Sequence, residues 1–184
     1  MIESKEEAER YLRDRFEQTL PAQVDRYLQA RVHEIIPGQF FSSASAECRE
    51  MFVAAHYYGC VSLAQSVGEG LSIFLALVNR QRKTKDPKVR VERLATAGII
   101  SSASRDSFMT IWGDDRNDYH HLNPTVETDY ARLQGRAASC IEALYVIEAD
   151  VFAFDIQQGK IMPRHRQYWP NVETGVTEAF LRFV

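Results

Sequence analysis

Apolar residues recur every three or four positions along most of the chain, the spacing of helices that bury one face. In the first third this pattern predicts two helices split by Pro21, the second carrying Val24, Leu28, Val32 and Ile35 until Pro37-Gly38 stops it. A long central helix is predicted over residues 45–79, with Phe52, Ala55, Cys60, Val67, Leu71 and Phe74 along its main stripe. Asp86-Pro87 then supplies an N-cap followed by proline at the first helical position, and Gly98 supplies the stop. After Ser101-Ser102 a further helix carries Phe108, Ile111 and Trp112 into a charged segment, residues 114–121, which Asn123-Pro124 punctuates. From about residue 125 a last long helix presents Leu133, Ala137, Cys140, Leu144, Ile147, Val151 and Phe154 on one face and ends before Gly159. The tail, with Pro163, Tyr168, Trp169 and Pro170, has no helical period and reads as a short irregular arm with a terminal helix near Thr177. Alternating strand patterns are scarce, so the expected class is all-α, an antiparallel helical bundle.

A second face of the central helix carries Ser62, Gln65, Glu69 and Ser72. It reads first as a solvated stripe, because glutamate is rarely fully buried. Gly68 and Gly70 on either side of Glu69 keep a second reading open, since small residues let a backbone or a ligand approach closely.

Composition changes this picture little. At 184 residues, 45% hydrophobic and 26% charged, the chain suits one folded domain with a single core. Its net charge of −3 argues against broad, charge-driven nucleic-acid binding, so any RNA contact is expected to be local. The basic loop Arg80-Gln81-Arg82-Lys83-Thr84-Lys85 reads as a solvated connection. Cys48, Cys60 and Cys140 lie in apolar stripes without metal or disulfide spacing and read as packing residues. Glu69 interrupts the best apolar run, and the N-terminus lacks the basic-then-apolar pattern of a secretory signal, so neither membrane span nor leader is expected and the expected location is cytoplasmic.

The chemistry concentrates in Asp114-Asp115-Arg116-Asn117-Asp118-Tyr119-His120-His121. One reading is structural: a helix terminus whose histidines favour the negative end of the dipole and whose arginine pairs with nearby aspartates. As a metal site it is unconvincing, because adjacent His120 and His121 point apart on a helix and no HExxH or CxxC spacing occurs. No GxSxG elbow supports a serine nucleophile. Phosphodiester chemistry suits the residues better, since Arg offers a fixed fork of donors to a phosphate and His moves protons near neutral pH.

Arg116, Asn117, three further residues and His121 resemble the HEPN superfamily, whose nuclease members carry an Arg, a polar residue, three variable positions and a His at a helix end. The long helix over 52–78, the shorter helix over 89–97, the turn Gly98-Ile99-Ile100-Ser101 and the helix over 104–119 are similar to that family's order of elements, so the likeness covers about 44–154. Residues 4–36 are expected to add N-terminal helices and 156–184 a C-terminal extension. The resemblance implies a HEPN-like bundle and a metal-independent endoribonuclease without cofactor, in which the RNA 2′-hydroxyl attacks and a cyclic phosphate remains. Arg116 would then hold the scissile phosphate, His121 would act as acid or base, and Asn117 would position them, with Glu69 and His120 in supporting roles. It also implies RNA, single-stranded or tRNA, as substrate rather than DNA, a homodimer whose motifs meet, and a defence or toxin setting with a partner protein or antitoxin.

Two features depart from that pattern. A toxin branch has a tyrosine two residues beyond its histidine, and this chain has Asn123 there. On an unbroken helix Arg116 shares a face with His120, while His121 is about 140° away. Unwinding before Pro124 would swing His121 inward, and a second chain would supply it from outside. The competing expectation is a non-catalytic HEPN-like helical dimerisation module that binds a partner protein or nucleotide, favoured by the repulsion that Asp114, Asp115 and Asp118 would exert on phosphate.

Overall fold

The computed structural model describes residues 4–113, 116–121, 123–171 and 179–182, and for Arg116, Asn117 and His120 the backbone alone. Among the described residues helices dominate, joined by two small two-stranded sheets. The first helix, α1 (Lys5–Gln29), starts where the Ser4 hydroxyl accepts the Glu7 N–H, and it runs unbroken through Pro21. The predicted split at Pro21 is therefore absent. Residues 11–22 of the helix are all exposed, so water can satisfy the carbonyl that loses its donor to Pro21 and the helix can bend around the ring. The helix also ends before Val32 and Ile35, and Ile35–Pro37 instead forms β1.

The predicted central helix is two helices, α2 (Ser42–Val53) and α3 (Tyr57–Val78). Between them Ala55 takes a left-handed conformation, φ 64°, with His56 N–H donating to the Met51 carbonyl at 2.7 Å and Ala55 N–H to Phe52 at 3.0 Å. These are the two bonds of a Schellman turn, built here on alanine rather than the usual glycine. The next helix, α4 (Pro87–Thr96), matches expectation: Asp86 Oδ1 accepts from Lys88 and Val89 N–H, and Gly98, φ 66°, closes it. The helix expected over 104–119 is broken, giving α5 (Ser102–Trp112), Gly113 at φ 53°, and the short α6 (Arg116–His121). Last comes α7 (Tyr130–Val151), capped by Asp129.

The C-terminal arm is not irregular. Strands β2 (Phe154–Gln157) and β3 (Lys160–Pro163) form a hairpin across Gln158-Gly159, both at positive φ as a tight two-residue turn requires. Strand β4 (Ala179–Leu181) returns to pair antiparallel with β1, Ile35 opposite Leu181. The terminal helix expected near Thr177 lies outside the described residues.

At the centre is α3, against which α2, α4, α5, α6 and α7 all pack. It is the one described helix long and apolar enough to cross a membrane by length and composition, despite Glu69. Its Leu71 and Leu75 meet a core that includes Phe52, Phe108, Trp112 and Ile147, each fully buried and each worth about 1.5–3 kcal/mol on burial. Cys48, Cys60 and Cys140 are buried there as free thiols, and burial pushes Cys48 and Cys60 well above the ordinary thiol range, which keeps them protonated. An ion pair is buried with them: Arg182 beside β4 grips Glu148 of α7 through two bonds of 2.7 and 2.8 Å, and the Ser45 hydroxyl donates to the same carboxylate at 2.6 Å. That pair ties the end of the chain to the core.

Candidate functional site

The motif helix α6 follows Gly113, where the chain turns away from the end of α5. That end is held firmly. Arg136 of α7 donates to the carbonyls of Thr110 at 2.7 Å and Ile111 at 2.9 Å, placing a cation on the negative end of the α5 dipole. At the start of α5 the Ser104 hydroxyl donates to Asp150 of α7 at 2.5 Å, joined by the Ser101 N–H at 3.0 Å. Burial works to raise the Asp150 carboxyl, but these hydrogen bonds outweigh it and leave the group below the usual carboxylate range.

On its other side α6 is seated on α3. Tyr119 is buried against Tyr58, their rings 5.3 Å apart, and the Tyr58 hydroxyl donates to the Tyr119 carbonyl at 2.8 Å. Desolvation and the neighbouring Asp118 carboxylate raise the Tyr58 hydroxyl, so it stays a donor. Asp118 itself is half-buried and accepts from the Asn123 side chain at 2.9 Å, while Asn123 N–H bonds the Asp118 carbonyl. Asn123 thus closes the C-terminal end of the motif helix.

His121, the last residue of α6, is exposed to solvent. The side chains of Arg116, Asn117 and His120 lie outside the described residues, as do Asp114 and Asp115 entirely. The backbone of α6 still decides one point. The helix continues through His121, so unwinding before Pro124 begins after the histidine and does not swing it inward. On one chain the positions of Arg116 and His121 remain about 140° apart around the axis. Glu69 is half-buried on α3, about 16 Å along the axis from the Tyr58 contact that seats α6.

The second face of α3 departs from expectation. Gln65 and Ser72 are fully buried and Ser62 and Glu69 half-buried, so this is no solvated stripe but a face covered by α4 and α5. Ser72 accepts from Arg90 at 2.8 Å, and the main-chain carbonyl of Gln65 accepts the Trp112 indole N–H at 3.3 Å. A methyl on Gly68 would sit 3.3 Å from Ile111, and one on Gly70 would sit 3.2 Å from Phe40. Gly68 thus packs against α5, and Gly70 lies against the Phe40 side chain in the turn before α2.

Gln65 is the residue that periodicity misread. Its side-chain amide is fully buried and makes no hydrogen bond through either Nε2 or Oε1. An unpaired buried amide costs of order 1–3 kcal/mol per group. Its only sequence signal was its place between Ser62 and Glu69 on the polar face. Among the described residues no three His, Cys, Asp or Glu side chains gather as a metal-binding group.

Fold and site therefore define a mostly helical protein with an arginine- and histidine-bearing helix displayed at the end of α5. Comparison with known protein families, with curated proteins and with solved structures gives no match.

Proposed function

We propose that the protein is a HEPN-type, metal-independent endoribonuclease that works as a homodimer. The observation that carries this reading is α6 itself: one short helix runs from Arg116 through Asn117 to His121, with its histidine open to solvent at the helix end. In the proposed reaction the RNA 2′-hydroxyl loses its proton to a base and attacks the adjacent phosphorus. The 5′-oxygen then leaves with a proton from an acid, and a 2′,3′-cyclic phosphate remains. Arg116 holds the non-bridging oxygens, His121 exchanges a proton, and Asn117 aligns the phosphate. The 140° between Arg116 and His121 is the argument for two chains: an isologous contact through α6 brings the arginine of one copy to the histidine of the other.

The test is cleavage of single-stranded RNA in EDTA with cyclic phosphate as the product. Arg116→Ala and His121→Ala should each lower the rate by about 10² to 10⁴, while His120→Ala changes it little. Cleavage that requires Mg²⁺ and ignores both residues would overturn the mechanism. A second reading, a non-catalytic helical module that binds a partner protein, is favoured by Asp118, whose charge stands within the motif and beside Tyr58. It predicts a dimer without cleavage of any RNA.

A further inference from the structure

A cavity of about 620 Å³ opens between the C-terminal end of α3 and the loop leading to α4, far along α3 from the motif helix. Its construction begins with a Schellman turn at Arg80, φ 52°, where Gln81 N–H donates to the Ala76 carbonyl at 2.8 Å. The chain is thereby folded back, so that the segment after Arg80 faces the helix it has just left. Arg90 of α4 fixes the loop in that position. This arginine is 7% exposed, and its guanidinium donates to the Thr84 carbonyl at 3.1 Å and to Ser72 on α3 at 2.8 Å.

The two sides of the cavity differ in chemistry. The α3 wall is apolar, made by Ile73, Ala76 and Leu77, which lie on one face at three- and four-residue spacing. Leu77 is 59% exposed there, although it belongs to the most apolar helix of the chain. The loop wall is cationic, with Arg82, Lys83 and Lys85 around the opening and Arg90 behind them. No acidic side chain lines the space, and the next acid along, Asp86, is occupied in capping α4. In a protein of net charge −3 this is a local reversal of sign.

We infer that this cavity binds a small amphipathic anion, an apolar chain or ring carrying one phosphate or carboxylate. The volume falls in the range of small-molecule sites, which are mostly apolar with a few placed polar groups. The apolar body lies along Ile73, Ala76 and Leu77, and the head group meets Lys83, Lys85 and Arg82 through charge-assisted hydrogen bonds. A nucleic-acid backbone would use the cations but gain nothing from Leu77.

Calorimetric titration of the full chain with decyl phosphate and with decanoate, below their micelle concentrations, tests this directly. Both should bind with one-to-one stoichiometry, while decanol and inorganic phosphate, each holding half of the recognised chemistry, bind at least about tenfold more weakly. Leu77→Gln and the double substitution Lys83→Glu/Lys85→Glu change exposed residues, and each should weaken decyl phosphate about tenfold without altering the circular dichroism spectrum. Equal binding of decanol and decyl phosphate, affinity unmoved by either variant, or no heat at millimolar ligand would overturn the site. Polyuridylate that binds the loop equally well in wild type and Leu77→Gln, with decyl phosphate failing to compete, would make it a backbone-phosphate contact instead. None of these outcomes depends on the ribonuclease reading.

Discussion

Two helices of similar length, α1 and α3, both repeat apolar residues at helical spacing, yet one has no buried residue and the other forms the centre of the core. Along α1, Leu12, Phe16, Leu20 and Val24 stay open to solvent, and the helix meets the body near its C-terminal end. There Arg26 donates to the Val53 carbonyl at 2.8 Å, and the Arg49 guanidinium sits 4.3 Å from the Tyr27 ring centre. The central helix instead has partners on almost every side, its polar face included. Spacing thus specifies which side of a helix is apolar. Whether anything covers that side depends on where the rest of the chain goes, which local pattern does not encode.

One substitution made in both helices measures the contrast. Leu71 on α3 is fully buried, so Leu71→Ala removes its transfer energy and leaves a cavity, costing roughly 2–5 kcal/mol. Urea unfolding should show a lower midpoint with the slope unchanged. A loss below about 1 kcal/mol would mean that α3 is not the packed centre of the protein.

The same distinction explains what was legible in the sequence. Asp86-Pro87 and Gly98 were readable as a cap and a stop because their effect is local and specific to those residue types. Two other helix ends use the same turn with Ala55 and Arg80 at the left-handed position, and no residue preference announces them. The break at Gly113 was missed because an isolated glycine is tolerated within a helical pattern. Strands β1 and β4 are three residues each and pair across nearly the whole chain, so neither carries an alternation long enough to register. For the candidate site, α6 and its residue types were legible, but not the split from α5 or the Tyr58 hydroxyl that seats it.

Gln65 sharpens the comparison from the buried side. Its amide lost its water on folding and found no partner, which a polar residue on an exposed helix never suffers. Gln65→Met keeps the length of the side chain and removes the unpaired groups, so it should raise stability by about 1 kcal/mol or more. A fall in melting temperature would show that the amide is satisfied in solution, for instance by a trapped water.

The smallest effect is expected on α1. Leu12 is 61% exposed, and Ala is at least as good a helix former, so Leu12→Ala should change stability by no more than about 0.5 kcal/mol. The measurement is most informative when repeated at protein concentrations about a hundredfold apart, because anything that covers the stripe only in an oligomer stabilises by mass action. For a helix that stands alone, the two concentrations give the same small value. A cost that grows with concentration would assign the stripe to contact between chains, and α1 would then differ from α3 only in that its covering comes from another molecule.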